Sequence, residues 1–225
     1  MQTVILVHGA GGGGWEYDLW KPVFERGGYR FVAKDLEPVA GGLAKTTFSD
    51  YVSQVKSWVG RGEPPILIGA SMGGIIALKV AEDVKPTAVV LVNSVPPAGV
   101  PTARTPKDRY PEVVKWANGP LSETRDAMPD SDEVTIQKAW KRWRDESGGV
   151  MNTLNERVSV RKPTCPVLVV VGAKDTDISP ETSRNVAEWA SADIHQYANM
   201  SHVGPLLSRR ATEVAGSIVT WLKAH

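Results

Sequence analysis

Hydrophobic positions along the chain fall in short unbroken runs, separated by stretches where they recur at helical spacing. Thr3-Val4-Ile5-Leu6-Val7, Ile66-Leu67-Ile68, Ala88-Val89-Val90-Leu91-Val92 and Val167-Leu168-Val169-Val170-Val171 read as strands buried on both faces of a parallel sheet. Tyr29 to Ala33 and Ala192 to Tyr197 read as two more strands. Between the first two strands, Trp15, Leu19 and Val23 recur at helical spacing, with Trp20 and Phe24 beside them, and Gly27-Gly28 stops that helix. A second helix starts near Ser49 with Tyr51, Val52, Val55 and Val59 as its apolar stripe. A third runs from Met72 to about Val84, where Lys85-Pro86 ends it. A helix after Pro180 buries Val186 and Trp189, and a last one carries Val214, Ile218, Val219 and Leu222. Strands and helices in this alternation predict an α/β fold: an open, mostly parallel six-stranded sheet with helices on both faces.

The alternation breaks once. From Ser94 to Pro163 prolines stand at 96, 97, 101, 106, 111, 120 and 129, and no strand-like run appears. Ile136, Trp140 and Trp143 fall at i, i+4 and i+7, one face of a helix beginning near Asp132, while Lys138, Lys141, Arg142, Arg144 and Asp145 form its solvated remainder. The expected organisation is therefore a core of residues 1–93 and 164–225 with a helical cap inserted at 94–163.

Bulk properties narrow the function without naming it. The 225 residues carry a net charge of +1 with 23% charged residues, which gives no electrostatic argument for nucleic acid or an anionic membrane surface. No apolar run approaches membrane-spanning length, and Met1 leads almost directly into a strand with no leader-like segment. The lone Cys165 excludes an internal disulfide and a cysteine metal cluster, and is expected to be a small buried filler. No two histidines have metal-ligand spacing, so no metal is expected. A cytoplasmic location fits these features, and a homodimer is left open.

The candidate chemistry lies at strand ends. Gly69-Ala70-Ser71-Met72-Gly73 fills a G-x-S-x-G pattern between a strand and a helix, a turn that holds a serine in a strained conformation with its hydroxyl exposed. A serine needs a base, and histidine titrates in the right range. The histidine in turn needs an acid to fix its tautomer. Asp175 follows the fifth strand and His202 the sixth, giving the order Ser, Asp, His. Asp177 is the alternative acid, two residues further on. Asp35 is expected to brace a loop and His8 to have its ring satisfied by backbone groups, whereas His195 lies in a strand and His225 at the chain end. Gly9-x-Gly11-x-x-Gly14, with Asp35 closing the next strand, also satisfies a dinucleotide-binding pattern, so a nicotinamide-dependent reductase is a rival. Its Tyr17-x-x-x-Lys21 string sits in the first helix, where short-chain reductases do not carry it. A non-catalytic binding module is a third reading, which normally shows a damaged triad.

His8-Gly9, Gly69-Ala70-Ser71-Met72-Gly73, Gly172-Ala173-Lys174-Asp175 and Ser201-His202 together make the chain resemble an α/β-hydrolase over nearly its whole length outside the insertion. The family's two outermost N-terminal strands are missing, which accounts for the small size. The His-Gly-Ala opening is similar to the plant-type esterase and hydroxynitrile lyase group. The resemblance implies an oxyanion hole from the backbone N–H groups of Ala10 and Met72, where losing one donor commonly costs about 3 kcal/mol. The group's lyases typically have Thr where Gly9 stands and Lys where Val203 stands, and the fold's dehalogenases and epoxide hydrolases place Asp at the serine position. The resemblance thus implies a carboxylic ester hydrolase acting on a small-molecule ester through an acyl-enzyme, without a cofactor. Thioesterase, lactonase and carbon–carbon hydrolase are alternatives on the same triad, and hydroxynitrile lyase a more distant one. Gly9, Trp116, Met128, Trp140, Trp143 and Val203 are the expected pocket residues, although the helical spacing of Trp140 and Trp143 favours a role in gluing the cap to the core.

Overall fold

The computed structural model describes residues 1–60, 62–103 and 108–225; Pro106, one of the prolines noted above, lies outside them. Six parallel strands form one sheet: β1 (Thr3–Val7), β2 (Arg30–Ala33), β3 (Ile66–Ala70), β4 (Ala88–Val92), then β7 (Val167–Gly172) and β8 (Asp193–Tyr197). Their spatial order is β2-β1-β3-β4-β7-β8. The chain steps from β1 outward to β2 and returns to β3 on the other side, so the loops after β1 and β3 diverge at a topological switch point. The expected open parallel sheet is the one found.

Alternate residues along each strand feed two separate cores. Ile5, Val7, Leu67, Val89, Leu91 and Val169 pack under α2 (Phe48–Trp58), α3 (Met72–Val84) and α7 (Pro180–Ala190). Val4, Leu6, Ile68, Val90 and Val170 pack under α1 (Lys21–Arg26) and, after the one-turn α8 (Gly204–Leu207), α9 (Ala211–Ala224) on the opposite face. Both faces are covered, which is why these strands are apolar throughout rather than alternating.

Two elements depart from expectation. The first helix is broken into a 3-10 turn at Gly14–Tyr17 and the short α1, and its buried side is Trp15, Tyr17, Trp20 and Phe24, with Leu19 exposed. Side-chain hydrogen bonds decide this: Tyr17 Oη donates to the Val7 carbonyl at 2.8 Å and Trp20 Nε1 to the Pro205 carbonyl at 3.0 Å, while Pro22 starts a new helix at its first turn. The connection from β4 to β7 does contain a small sheet, β5 (Val113–Val114) against β6 (Glu146–Ser147), antiparallel and too short to leave a sequence signal. Its helices are α4 (Leu121–Ala127), α5 (Glu133–Trp140) and α6 (Gly148–Glu156). Asp132 caps α5 by accepting the Thr135 N–H, as placed from sequence, but α5 ends at Trp140, so Trp143 lies beyond it. Cys165 is half-buried rather than buried. Among the described residues no helix is long and apolar enough to cross a membrane.

Candidate active site

Ser71 sits between β3 and α3 with φ 50° and ψ −119°, outside the regions a serine favours. The glycines around it permit this, and each has a local reason. A Cβ at Gly69 would stand 2.2 Å from the Gly73 carbonyl oxygen, and one at Gly73 would stand 2.0 Å from the Val7 carbonyl oxygen. Strand, turn and helix therefore touch backbone to backbone, and only glycine fits. The Ser71 N–H donates to the Val92 carbonyl at 3.0 Å and its carbonyl accepts from Val95 at 3.1 Å, tying the turn to the end of β4.

His202 follows β8. Its Nδ1 lies 2.8 Å from Asp175 Oδ2, with the Asp175 side chain fully buried. The other oxygen, Oδ1, accepts the N–H groups of Asp177 at 2.8 Å and Ile178 at 2.9 Å, so the carboxyl cannot swing away from the imidazole. Asp177, the alternative acid, is exposed and reaches His202 only through its charge. Burial acts to lower the His202 pKa, but the Asp175 hydrogen bond and charge, with smaller help from Asp177 and Glu16, outweigh it and hold the pKa above 6.5. Ser71 and His202 line one cavity without a hydrogen bond drawn between them; contacts of this kind commonly tighten only in the substrate complex.

Two residues absent from the sequence reading hold the histidine loop. Asn93, at positive φ after β4, accepts the Gly172 N–H at 2.8 Å and donates to the His202 carbonyl at 2.7 Å, stapling the ends of β4, β7 and β8. Its sequence signal was its place as the first polar residue after an apolar strand. Asp130, from the long connection, accepts the N–H of Ser201 at 3.0 Å and its hydroxyl at 2.7 Å. Nothing in its neighbourhood in sequence marks it.

The glycine loop after β1 faces Ser71. A Cβ at Gly9 would lie 3.3 Å from Ser71 Cβ. Ala10 and Met72 flank the serine from the two loops, and neither N–H has a protein acceptor among the described residues. His8 is fully buried and burial lowers its pKa to about 4. It is therefore neutral, donating from Nδ1 to the Gly9 carbonyl at 2.7 Å and accepting the Leu36 N–H at Nε2, 2.8 Å away. Asp35 braces the loop by accepting the Gly14 N–H at 2.7 Å and pairs with Arg144 at 3.2 Å. From the long connection, Arg144 N–H donates to the Gly11 carbonyl at 2.7 Å, and Glu146 accepts the Gly11 N–H at 3.1 Å and the Tyr51 hydroxyl at 2.7 Å. Sequence reasoning missed Arg144 and Glu146 as site residues. It also missed Glu16, whose carboxyl lines the cavity, is almost wholly buried and accepts the Gly9 N–H at 3.2 Å. Burial pushes Glu16 up to about 7 against the opposing effects of the Gly9 N–H and the His202 charge. The same carboxyl occupies the hollow of the glycine loop, 2.3 Å from where a Gly12 Cβ would sit. A pyrophosphate would meet it there, and both Asp35 oxygens are already engaged, one by the Gly14 N–H and one by Arg144, so the dinucleotide reading loses its physical basis.

The cavity encloses about 700 Å³. Of the expected pocket residues, Gly9, Trp116, Trp140, Trp143 and Val203 line it. Met128 does not: it caps the C-terminus of α4 and is fully buried in the hydrophobic core on the α1 and α9 side of the sheet. Trp140 and Trp143 both brace the connection, donating to the Gly119 carbonyl at 2.7 Å and to Thr124 Oγ1 at 3.1 Å, and present their rings to the cavity. Both bonds stay within the connection; the contact that reaches the core is the Trp143 ring, edge-on to Trp15 at 5.0 Å. His195 bonds Ser217 and His225 stacks on Trp221, both away from the cavity.

A parallel sheet carrying a strained serine turn at its switch point, with an Asp–His pair on neighbouring strand ends, defines an α/β-hydrolase architecture. The sequence profile of the alpha/beta hydrolase family matches residues 4–217, and the chain belongs to that family. Methylesterase 3 of Arabidopsis thaliana is 34% identical over 98 residues, covering 39% of this chain and 36% of that protein. The chain thus matches only about a third of that relative's length. The fold superposes on a methylesterase from Arabidopsis with a TM-score of 0.78 at 16% identity, covering all of both chains. It superposes on a pyrethroid hydrolase from Sphingobium faniae JZ-2 with a TM-score of 0.76 at 20% identity, covering 100% of this chain and 99% of that one. Polyneuridine aldehyde esterase gives 0.76 at 17% identity, covering 99% of both chains.

Proposed function

We propose that the protein is a serine hydrolase cleaving a carboxylic ester of a small or medium-sized molecule through an acyl-enzyme. Ser71 attacks the ester carbonyl, His202 takes its proton through Nε2 and returns it to the leaving alcohol, and Asp175 holds the imidazole with Nδ1 protonated. The N–H groups of Ala10 and Met72 receive the developing oxyanion. Water, activated by His202, then releases the acid. The observation that carries this reading is the 2.8 Å Asp175–His202 contact opening onto the cavity that also exposes Ser71. The connection 94–163 acts as the cap: Trp116, Trp140, Trp143, Met151 and Leu154 give the cavity an apolar wall suited to a neutral hydrophobic ester. The names of the four similar proteins, three of them esterases and one a hydrolase, support the same class. Gly9 and Val203 at the two positions where the lyases of this group differ favour hydrolysis over cyanohydrin cleavage.

The test is turnover of p-nitrophenyl esters of graded acyl length, with Ser71→Ala as control. Ser71→Ala should retain its fold and lose at least about a thousandfold in kcat. A wild-type protein that turns over no member of the series, or a variant as active as wild type, would refute the proposal.

A further inference from the structure

Glu16 is a carboxyl group with no part in the mechanism above, yet it forms part of the wall of the same cavity. It belongs to the 3-10 turn after the glycine loop, which folds it back so that Oε2 accepts the Gly9 N–H at 3.2 Å, with a second backbone N–H from Gly13. Gly9 is packed against Ser71, and Ala10, the next residue, is the oxyanion donor of the proposed site. The charge of Glu16 therefore bears on the place where negative charge develops. Among the described residues no lysine or arginine pairs with it: Arg144 is engaged by Asp35 and Glu37, and Arg142 by Asp18. The titratable groups that face it are His202 from the loop after β8, Asp35 from the loop after β2, and the neighbouring Tyr17, whose hydroxyl is tied to Val7.

We propose that Glu16 is an electrostatic gate on the oxyanion side of the site: the enzyme is active with its carboxyl neutral and is switched off when it ionises. This rests on the ester-hydrolase reading. The physical reason is one of sign. As the ester carbonyl becomes a tetrahedral oxyanion beside Ala10, an ionised Glu16 repels it in a buried, weakly screened setting, whereas the protonated carboxyl does not. Ionised Glu16 also favours the imidazolium form of His202, the form that cannot act as base. The productive state has neutral His202 and neutral Glu16 together. Because the two groups influence each other, they titrate as a pair, and the state that carries one proton on Glu16 competes with the dead state that carries it on His202. Burial places Glu16 near 7, within the range where an ordinary serine hydrolase has already reached its plateau. The kcat/KM profile should therefore be bell-shaped rather than a single rise.

The experiment compares kcat/KM of wild type and Glu16→Gln on one p-nitrophenyl ester from about pH 5 to about pH 9, corrected for spontaneous hydrolysis. Gln keeps an acceptor for the Gly9 N–H and cannot ionise. Wild type should fall about tenfold or more from its maximum to pH 9, Glu16→Gln should hold its plateau, and its acid limb should move to lower pH. Glu16→Ser, also non-titrating, should show the same loss of the alkaline limb and serves if Gln does not fold. An alkaline limb that persists in a folded non-titrating variant, or a wild type with no alkaline limb, would overturn the gate while leaving ester hydrolysis standing. No Ser71-dependent turnover at any pH would overturn both.

Discussion

Two turns meet over the cavity, and they are built in opposite ways. The serine turn at 69–74 is held backbone against backbone: Gly69 against Gly73, Gly73 against Val7 of β1, and Ser71 hydrogen-bonded to Val92 at the end of β4. The glycine loop at 9–14 is held by side chains that arrive from elsewhere. Asp35 comes from the loop after β2, Glu16 from the turn that follows, and Glu146 and Trp116 from the connection more than a hundred residues away, where the Arg144 backbone N–H also bonds the Gly11 carbonyl. A turn packed backbone on backbone between two central strands has no soft side chain to give. A turn built from borrowed side chains can be tuned by them, and its shape depends on the insertion being in place. The acid belongs to the first kind, since Asp175 is locked by N–H groups of its own loop, while the His202 loop is of the second kind, held by the side chains of Asn93 and Asp130.

The largest effect should come from the rigid half. Asp175→Asn leaves the backbone intact but presents an amide to His202 Nδ1, favouring the wrong tautomer, and kcat should fall roughly ten-thousandfold. The sign of the pH effect follows from the raised His202 pKa. Activity needs the neutral imidazole, so it rises with pH through a midpoint above 6.5, and removing the Asp175 charge should move that midpoint down. Asp177→Asn, which removes an exposed charge that makes no hydrogen bond to His202, should cost less than about tenfold. Equal losses in the two variants, read from kcat against pH, would show that the acid is shared between them.

The next effect tests the contrast directly, with one substitution placed in each turn. Gly73→Ala drives a methyl to 2.0 Å from the Val7 carbonyl oxygen, backbone against backbone with nothing free to move. It should cost several kcal/mol in urea unfolding, at the upper end for overpacked sites. Gly12→Ala meets instead the end of the Glu16 side chain, which can rotate away, and should cost about 1 kcal/mol. Similar costs at both positions would erase the distinction between the turns.

The same distinction explains what could be read in advance. The strands, the serine turn and the Ser-Asp-His order rest on local patterns: apolar runs, glycines forced by close approach, and residues placed just after strand ends. Each acts within a few positions along the chain, so each was visible. The broken first helix was not, because Trp20 answers to Pro205 and Tyr17 to Val7 rather than to their helical neighbours. Met128 failed as a pocket residue for a related reason. Which side a residue in the connection faces depends on how that segment lies over the sheet, and its helices are too short for periodicity to reveal it. Glu16 was missed for the same reason: a lone acid in Trp15-Glu16-Tyr17 takes its meaning from burial, which exists only once the loop is folded.

The smallest predicted effect probes the borrowed half. Glu146 is buried and takes three donors, the Gly11 N–H at 3.1 Å, the Tyr51 hydroxyl at 2.7 Å and the Ser147 N–H at 2.7 Å, so it links the connection, α2 and the glycine loop at one carboxyl. It touches no substrate; its effect runs through Gly11 to the neighbouring Ala10 N–H. Glu146→Gln keeps the volume but replaces one acceptor oxygen by an NH2 group, which must face either Tyr51 or Gly11. Facing Tyr51, the amide can accept at Gly11 and leave the loop nearly unchanged. Facing Gly11, it sets donor against donor and pushes the loop away. Partial loss of one oxyanion donor should lower kcat about tenfold with KM nearly constant, because the donor matters in the transition state more than in the ground state. A merely structural role for Glu146 would instead lower the fraction of folded enzyme and leave kcat per active site, counted by acylation of Ser71, at the wild-type value. Glu146→Ala removes the acceptor altogether, and should lower kcat further than Gln while leaving the midpoint of the His202 limb in place, since that histidine is held from the other side of the cavity by Asp175, Asn93 and Asp130.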